Sequence, residues 1–401
     1  MSSKANLYTS IPPLDESKFA LLSWPRFLWM KAKLMLTPLI IAREVLLSPF
    51  VSRSKGKPLS RIVGDTPFRF ITDYFSAAEL QYILGTSVGV YSTWARQAKL
   101  PMTIEEMRDG GKLMWIGPKR TDRMLLYCHG GAYIFSVQIF TISFWRYIQQ
   151  KLEERGLKVG IAIMSYSLVP VAQFPTPLWQ TSHAINHLLT TEHVKPSNLV
   201  LVGDSAGGNL VSQVLSSMLH PLFEPRIIPE GTRLRGAYMM SPWVSLTGVY
   251  YPNPTEGEGG ATVKPEDIPS FTENDHCDII GKKALVYWGH TILDGSPNPS
   301  LDSSYLEPIN ASFDWYQGLP SVVERVFVST GGGECLRDAD RLFYEKKIKP
   351  FHDDHAVFFE DERGVHNDPF FDFNVADGPV GGERQRLTPR VVEWVRECFE
   401  E

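Results

Sequence analysis

The chain has 401 residues, of which 43% are hydrophobic and 21% charged, and it carries a formal net charge of −5 at pH 7. That composition can build a sizeable core and argues against global disorder, while its acidic balance offers no basic surface for nucleic acid. Four cysteines without a Cys-x-x-Cys pair argue against a disulfide framework, a zinc site or thioredoxin-like chemistry, so reduced thiols in an intracellular setting are expected.

Residues 1–65 read as an apolar N-terminal segment ahead of a catalytic domain over 66–401. Between Phe19 and Val51 lie Trp24, Phe27, Leu28, Trp29, Leu39, Leu46 and Phe50 among other apolar residues, interrupted by Lys31, Lys33, Arg43 and Glu44. A spanning helix needs about 18 or more apolar residues with few charges. The longest uncharged part, Leu34–Ala42, is shorter and contains Pro38, so no clean transmembrane helix is expected. A secretory signal fits poorly, because Met1 is followed by a mostly polar stretch and no small-residue cleavage site stands out. Two placements stay open. Residues 19–57 contact a membrane surface, with Trp24 and Trp29 at headgroup level and the basic run Ser52-Arg53-Ser54-Lys55-Gly56-Lys57 toward an anionic leaflet; or the segment packs over a catalytic pocket. The first placement implies a cytoplasmic protein or one attached peripherally to an internal membrane such as the endoplasmic reticulum.

Strands and helical runs alternate from Met124 onward, as parallel βαβ units require. The strand-like runs are Met124–Cys128, Val159–Ser165, Leu199–Val202, Ala237–Met240, Val323–Thr330 and Ala356–Glu360. The first runs into His129-Gly130-Gly131-Ala132-Tyr133, where consecutive glycines can aim bare N–H groups at one point, as an oxyanion requires. The third runs into Gly203-Asp204-Ser205-Ala206-Gly207-Gly208-Asn209, followed by a helical run from Leu210 to Leu219. Strand, Gly-x-Ser-x-Gly and helix make the context of a nucleophile elbow, which marks Ser205 as nucleophile. Gly130, Gly131 and Ala206 are the expected oxyanion donors. His129 is expected to orient its loop, and Asp204 to be structural.

With both motifs in view, the chain resembles the hormone-sensitive-lipase-like branch of the α/β-hydrolase superfamily. Tyr166-Ser167-Leu168-Val169-Pro170 with Phe174-Pro175, Met240-Ser241-Pro242-Trp243 and Gly318-Leu319-Pro320 extend the likeness from about residue 110 to the C-terminus. The resemblance implies an α/β-hydrolase fold, a mostly parallel central sheet flanked by helices. It also implies a helical cap, drawn from the N-terminal segment (part of residues 66–110 included) and an insertion at about 244–318. Tyr250–Gly260 reads as a loop inside that insertion, and Arg384–Cys398 as the last helix.

In this fold the acid and the histidine follow the serine. After Val323–Thr330 comes Gly331-Gly332-Gly333-Glu334-Cys335-Leu336-Arg337-Asp338. The family has Asp-x-Leu-x-Asp here, and its first acid is catalytic; Glu334 holds that place, with Asp338 at the second as the alternative acid. His366, past Ala356–Glu360, matches the family histidine, whereas His352 and His355 precede that strand. His183 and His187 stand four apart without the Glu of a His-Glu-x-x-His motif, so no metal and no cofactor are expected. The expected activity is hydrolysis of a carboxylic ester of a hydrophobic small molecule (a lipid, sterol or secondary metabolite) through Ser205, His366 and Glu334. Biosynthetic acyl transfer or cyclisation on the same fold is the alternative, and a non-catalytic small-molecule binder is a further one. Oligomeric state is left open.

Overall fold

Alternating apolar residues give a strand two usable faces. In the computed structural model, which describes residues 7–50, 57–252, 264–380 and 387–400, the strands are β1 (Ile104–Glu106), β2 (Lys112–Trp115), β3 (Met124–Cys128), β4 (Gly160–Ser165), β5 (Leu199–Asp204), β6 (Leu234–Met240), β7 (Val249–Tyr250), β8 (Glu266–Asp267), β9 (Val323–Gly331) and β10 (Ala356–Asp361). The main sheet runs β1-β2-β4-β3-β5-β6-β9-β10, and β7 and β8 form a small separate ladder. β2 is antiparallel to β1 and β4, whereas every pairing from β4 across to β10 is parallel. Cys128 pairs with Gly203, Gly203 with Met239 and Met239 with Val328. The loops that leave β3, β5, β6, β9 and β10 therefore emerge at one end of the sheet, where open α/β sheets bind ligands.

Successive residues of the central strands feed two cores. Leu126, Leu201, Met239 and Val328 belong to one, and Tyr127, Val202, Tyr238 and Phe327 to the other. Between the strands run α6 (Ile139–Glu154), α7 (Thr176–Thr190) and α8 (Ala206–Leu219); the first two follow α1 (Trp24–Leu34), α2 (Thr37–Leu47), α3 (Leu59–Tyr74), α4 (Ala77–Leu84) and α5 (Ser87–Gln97). The insertion after β6 contains α9 (Ser270–Glu273), α10 (Lys282–Asp294) and α11 (Pro299–Leu306). The chain then adds α12 (Arg337–Phe343), α13 (Lys349–His352), α14 (Asp368–Asp372) and α15 (Leu387–Glu400). α8 covers the first core with Leu210, Val211, Val214 and Leu215, and α15 covers the second with Val391, Val392 and Val395. Each such fully buried aliphatic side chain stabilises the fold by about 1.5–3 kcal/mol.

The N-terminal helices divide into two groups. α3 is fastened to α14 by Arg61, which is buried and pairs with Asp65 of its own helix at 3.0 Å, Asp368 at 2.8 Å and Asp372 at 2.5 Å. A guanidinium out of water is tolerated when carboxylates surround it in this way. α1 and α2 are 11 residues each. They bury Met30 but leave Trp24, Trp29, Leu39 and Leu46 between 67% and 74% exposed, and Phe50, just after α2, is 85% exposed. Among the described residues, no helix is long and apolar enough to cross a membrane.

The structure adds β1, β2 and the short β7 and β8, which the sequence reading lacked. β1 is Ile-Glu-Glu at a sheet edge and has no apolar alternation to detect. Helix α15 begins at Leu387, and residues 384–386 of the expected helix lie outside the described residues. So do most of the expected loop Tyr250–Gly260, whose Tyr250 belongs to β7, and residues 52–56 of the basic run. Lys57 is described and pairs with Asp65 at 3.0 Å.

Candidate active site

Ser205 joins β5 to α8 with φ 51° and ψ −119°, a region costly for any residue with a Cβ. Flanking hydrogen bonds hold it there. Ser205 N–H donates to the Met240 carbonyl at 2.9 Å, and the Ser205 carbonyl accepts from Trp243 N–H at 3.0 Å, which explains the Met240-Ser241-Pro242-Trp243 stretch. The turn is too tight for side chains. A Cβ on Gly203 would lie 2.3 Å from the Gly207 carbonyl oxygen, and one on Gly207 would lie 1.9 Å from that of Cys128.

The loops after β9 and β10 bring Glu334 and His366 together. His366 Nδ1 lies 2.8 Å from Glu334 Oε2, and both side chains are buried. The other oxygen, Glu334 Oε1, accepts from Gly331 N–H at 2.7 Å and from the Thr330 hydroxyl. Burial alone pushes His366 down, but the hydrogen bond and charge of Glu334, backed by Asp278 and Asp204, outweigh it and the net shift is upward. Nδ1 bonded to a carboxylate carries the proton, leaving Nε2 as the basic nitrogen. Nε2 is buried and has no hydrogen-bond partner among the described residues.

Asp338, the alternative acid, is placed elsewhere. Its carboxylate accepts from Arg337 at 2.7 and 3.0 Å and from Ser270 N–H at 3.1 Å. It sits in the first turn of α12, where a carboxylate faces unpaired backbone N–H groups. Asp338 thus anchors α12 to the insertion, and Glu334 is the carboxylate that the structure places against His366. His352 is the buried last residue of α13, ahead of β10, and His187 pairs with Glu105 and Glu192 at 3.6 and 3.7 Å. Those two carboxylates also share the Lys119 ammonium, at 2.5 and 2.8 Å.

Asp204 ties the loops to one another. Its Oδ1 accepts from the Tyr127 hydroxyl at 2.6 Å and from Gly130 N–H at 2.9 Å, and its Oδ2 accepts from Asn367 Nδ2 at 2.8 Å. Burial pushes this carboxyl up to about 6, against the opposing pull of Tyr127, Gly130 and His366. One side chain thus connects β3, the glycine loop and the residue after His366. It also changes the place of Gly130, whose N–H is engaged in this structure and is not a free oxyanion donor. The space beside Gly130 is filled by the same carboxylate, 2.3 Å from where a Cβ would stand. His129 orients the loop: its Nδ1 donates to the Gly130 carbonyl at 2.6 Å, and its ring stacks on Tyr166 at 4.5 Å. Burial lowers it to about 4, so it stays neutral.

Ser205, His366, Gly130 and Gly131 all line one cavity. Phe68 of α3, Ile280 and Trp288 of the insertion, and Phe140, Phe370 and Phe371 complete its wall. Phe68 packs on Phe140 and Phe371 with ring centroids 6.2 and 5.1 Å apart. The N-terminal helices and the insertion thus both reach the pocket, and they make it largely apolar.

Residues 125–366 match the pattern of the alpha/beta hydrolase fold family. The chain belongs to this family. As an α/β hydrolase it resembles neutral cholesterol ester hydrolase 1 of Bos taurus, 28% identical over 291 residues, covering 66% of this chain and 63% of the relative. It also resembles probable carboxylesterase 2 of Arabidopsis thaliana, 22% identical over 242 residues, covering 58% and 65%. The chain spans less than two thirds of the length of these curated relatives. A crystal structure of an esterase from the bacterial hormone-sensitive lipase family superposes with a TM-score of 0.57 at 20% identity, covering 85% of this chain and 99% of that one. The fold is common to both, and the branch is the one that His129–Tyr133 and Gly203–Asn209 resemble.

The sequence reading of this α/β hydrolase missed Asp278. Its Oδ2 accepts from Cys335 N–H at 2.7 Å and its Oδ1 from His366 N–H at 2.9 Å, so the insertion pins both catalytic loops. Nothing in His276-Cys277-Asp278-Ile279 announces this, since the partners are backbone groups far along the chain. Asn367 and Arg61 were missed because the carboxylates they bind, Asp204 and the pair Asp368 and Asp372, also lie far along the chain.

Proposed function

We propose that the protein is a serine esterase that hydrolyses carboxylic esters of a hydrophobic small molecule. The observation that carries this reading is that His366, held by Glu334 at 2.8 Å, lines one apolar cavity together with a strained Ser205. His366 Nε2 takes the proton of Ser205, and Ser205 Oγ attacks the ester carbonyl. Gly131 N–H and the N–H of Ala206, the first residue of α8, stabilise the resulting oxyanion; Ala206 N–H is among those a helix start leaves unpaired. His366 then protonates the departing alcohol, and water activated by the same histidine releases the acid. The phenylalanine-lined wall favours an apolar acyl or alcohol part.

The exposed faces of α1 and α2 support contact with a membrane surface through residues 19–57. Trp24, Trp29 and Leu46, with Phe50 just after α2, are exposed there, as in helices that lie in the bilayer interface. The four cysteines are free thiols, which suits an intracellular, reducing compartment, the cytoplasmic face of an internal membrane among them.

Hydrolysis of p-nitrophenyl esters from acetate to palmitate, wild type beside Ser205→Ala, tests the reading. Serine-dependent turnover with an optimum set by the cavity is expected. Folded protein with no turnover on any ester would overturn it.

A further inference from the structure

Thr330 stands between two carboxyl groups. Its hydroxyl oxygen is 2.8 Å from Asp340 Oδ2 and within hydrogen-bond distance of Glu334 Oε1. All three side chains are buried. A hydroxyl has one proton to give and two lone pairs with which to accept, so it cannot donate to both carboxyl oxygens at once. Were Glu334 and Asp340 both ionised, one carboxylate oxygen would face a hydroxyl lone pair at contact distance, out of water, with no proton between them. The proton count closes only when one of the two acids is neutral.

The surroundings decide which. Glu334 has three donors: Gly331 N–H, Thr330 Oγ1 and His366 Nδ1. Asp340 has Thr330 alone, and its Oδ1 has no hydrogen-bond partner among the described residues. A buried carboxylate with a single hydrogen bond is the costlier anion. We propose that Asp340 is a protonated, neutral acid that donates through Thr330 to Glu334, making it a positioning residue for the triad. Its Oδ2–H donates to Thr330 Oγ1, and the Thr330 hydroxyl donates in turn to Glu334 Oε1. Glu334 is then held by three directed hydrogen bonds with Oε2 aimed at His366. Burial and the charge of Glu334 both push the Asp340 carboxyl well up, in the same direction.

The relay answers a problem specific to this chain. Glutamate has one more rotatable bond than aspartate, so an acid on a longer arm needs more fixing to hold an imidazole. The carboxyl of Asp340, one helical turn into α12, supplies that fixing without a second negative charge beside Glu334, which the pair would have to desolvate.

The inference rests on Glu334 being the acid of the serine esterase proposed above, and the test separates the two. Infrared difference spectra at pH 8 compare wild type, Asp340→Asn and Glu334→Gln for the carboxylic-acid C=O band. Expected is a band present in wild type, lost in Asp340→Asn and kept in Glu334→Gln. No band lost in Asp340→Asn would mean that Asp340 is ionised and would overturn the proposal. In the esterase assay, Asp340→Asn keeps an N–H donor for Thr330 and should stay within about threefold of wild type, while Asp340→Ala and Thr330→Val should each lose about tenfold or more in kcat with little change in KM. The double variant Asp340→Ala/Thr330→Val should be no worse than Thr330→Val, because the two act as one unit. Equal activities for Asp340→Asn and Asp340→Ala would sink the relay while leaving the triad standing. An active Glu334→Gln would remove the triad reading itself, whatever the infrared band does. Should Asp340→Ala fail to fold, the spectra of the isosteric Asp340→Asn still decide.

Discussion

Asp278 and His366 lie 88 residues apart, and the carboxylate of the first accepts the backbone N–H of the second at 2.9 Å. Its other oxygen accepts Cys335 N–H, next to Glu334, at 2.7 Å. A residue of the insertion therefore ties the loop that carries Glu334 to the loop that carries His366. In Asp278→Ala two buried N–H groups would lose their acceptor, at about 1–3 kcal/mol each. A drop in melting temperature together with a loss in kcat of about tenfold or more is expected. Calorimetry and ester kinetics on one preparation check this, and a variant with unchanged kcat would show that the loops hold their spacing without the cap.

The choice between the two acids after β9 is open to direct test. Glu334→Gln should reduce kcat/KM by about a hundredfold or more, because the imidazolium loses its counter-charge. Asp338→Asn should stay within about threefold, since Arg337 and Ser270 are what it binds. The reverse order would move the acid to Asp338.

The upward shift of His366 predicts the pH behaviour. Nε2 must be unprotonated to accept the Ser205 proton, so activity should rise with pH through an acid limb lying above the ordinary histidine value of about 6.5. The stabilising effect of the His366–Glu334 pair is fully present below the unfolded histidine pKa and is lost as pH rises through the folded one. In Glu334→Gln the limb should move down, extending what activity remains to lower pH. A pH–rate profile of both proteins measures this, and an unmoved limb would remove Glu334 as the partner that raises His366.

Gly207 tests the elbow without touching a reacting group. Its added Cβ in Gly207→Ala would meet the Cys128 carbonyl oxygen at 1.9 Å, and β3 would have to move. Loss of soluble, folded protein is expected, seen as a circular dichroism spectrum unlike wild type. A folded and active Gly207→Ala would contradict the packing of α8 on β3.

The exposed face of α1 and α2 predicts lipid binding. Replacing Trp24, Trp29 and Phe50 with serine should weaken sedimentation with anionic phospholipid vesicles by about tenfold or more. Esterase activity on a soluble ester should be unchanged, because none of the three lines the cavity. Equal sedimentation of variant and wild type would assign this face to something other than lipid.

How much of this was legible beforehand follows from the range of the interactions. Ser205, the glycine loop and the parallel strands were readable because each depends on neighbours along the chain: a strand, a turn too tight for a Cβ, then a helix. Glu334 and His366 were readable as positions after two late strands. The same local reading could not separate Glu334 from Asp338, four residues apart on one loop, because the answer is which carboxylate reaches an imidazole brought in by the next strand. Nor could it find that Gly130 N–H is taken by Asp204, that Asp278 holds two catalytic loops, or that Asp340 and Glu334 share one hydroxyl. The six central strands, the turn chemistry and the candidate nucleophile Ser205 were thus legible in the amino-acid sequence on its own. The carboxylate that meets His366, the occupied Gly130 amide and the Asp278 contacts were decided only by tertiary structure, since hydrogen bonds between groups 32 to 88 residues apart leave no local pattern.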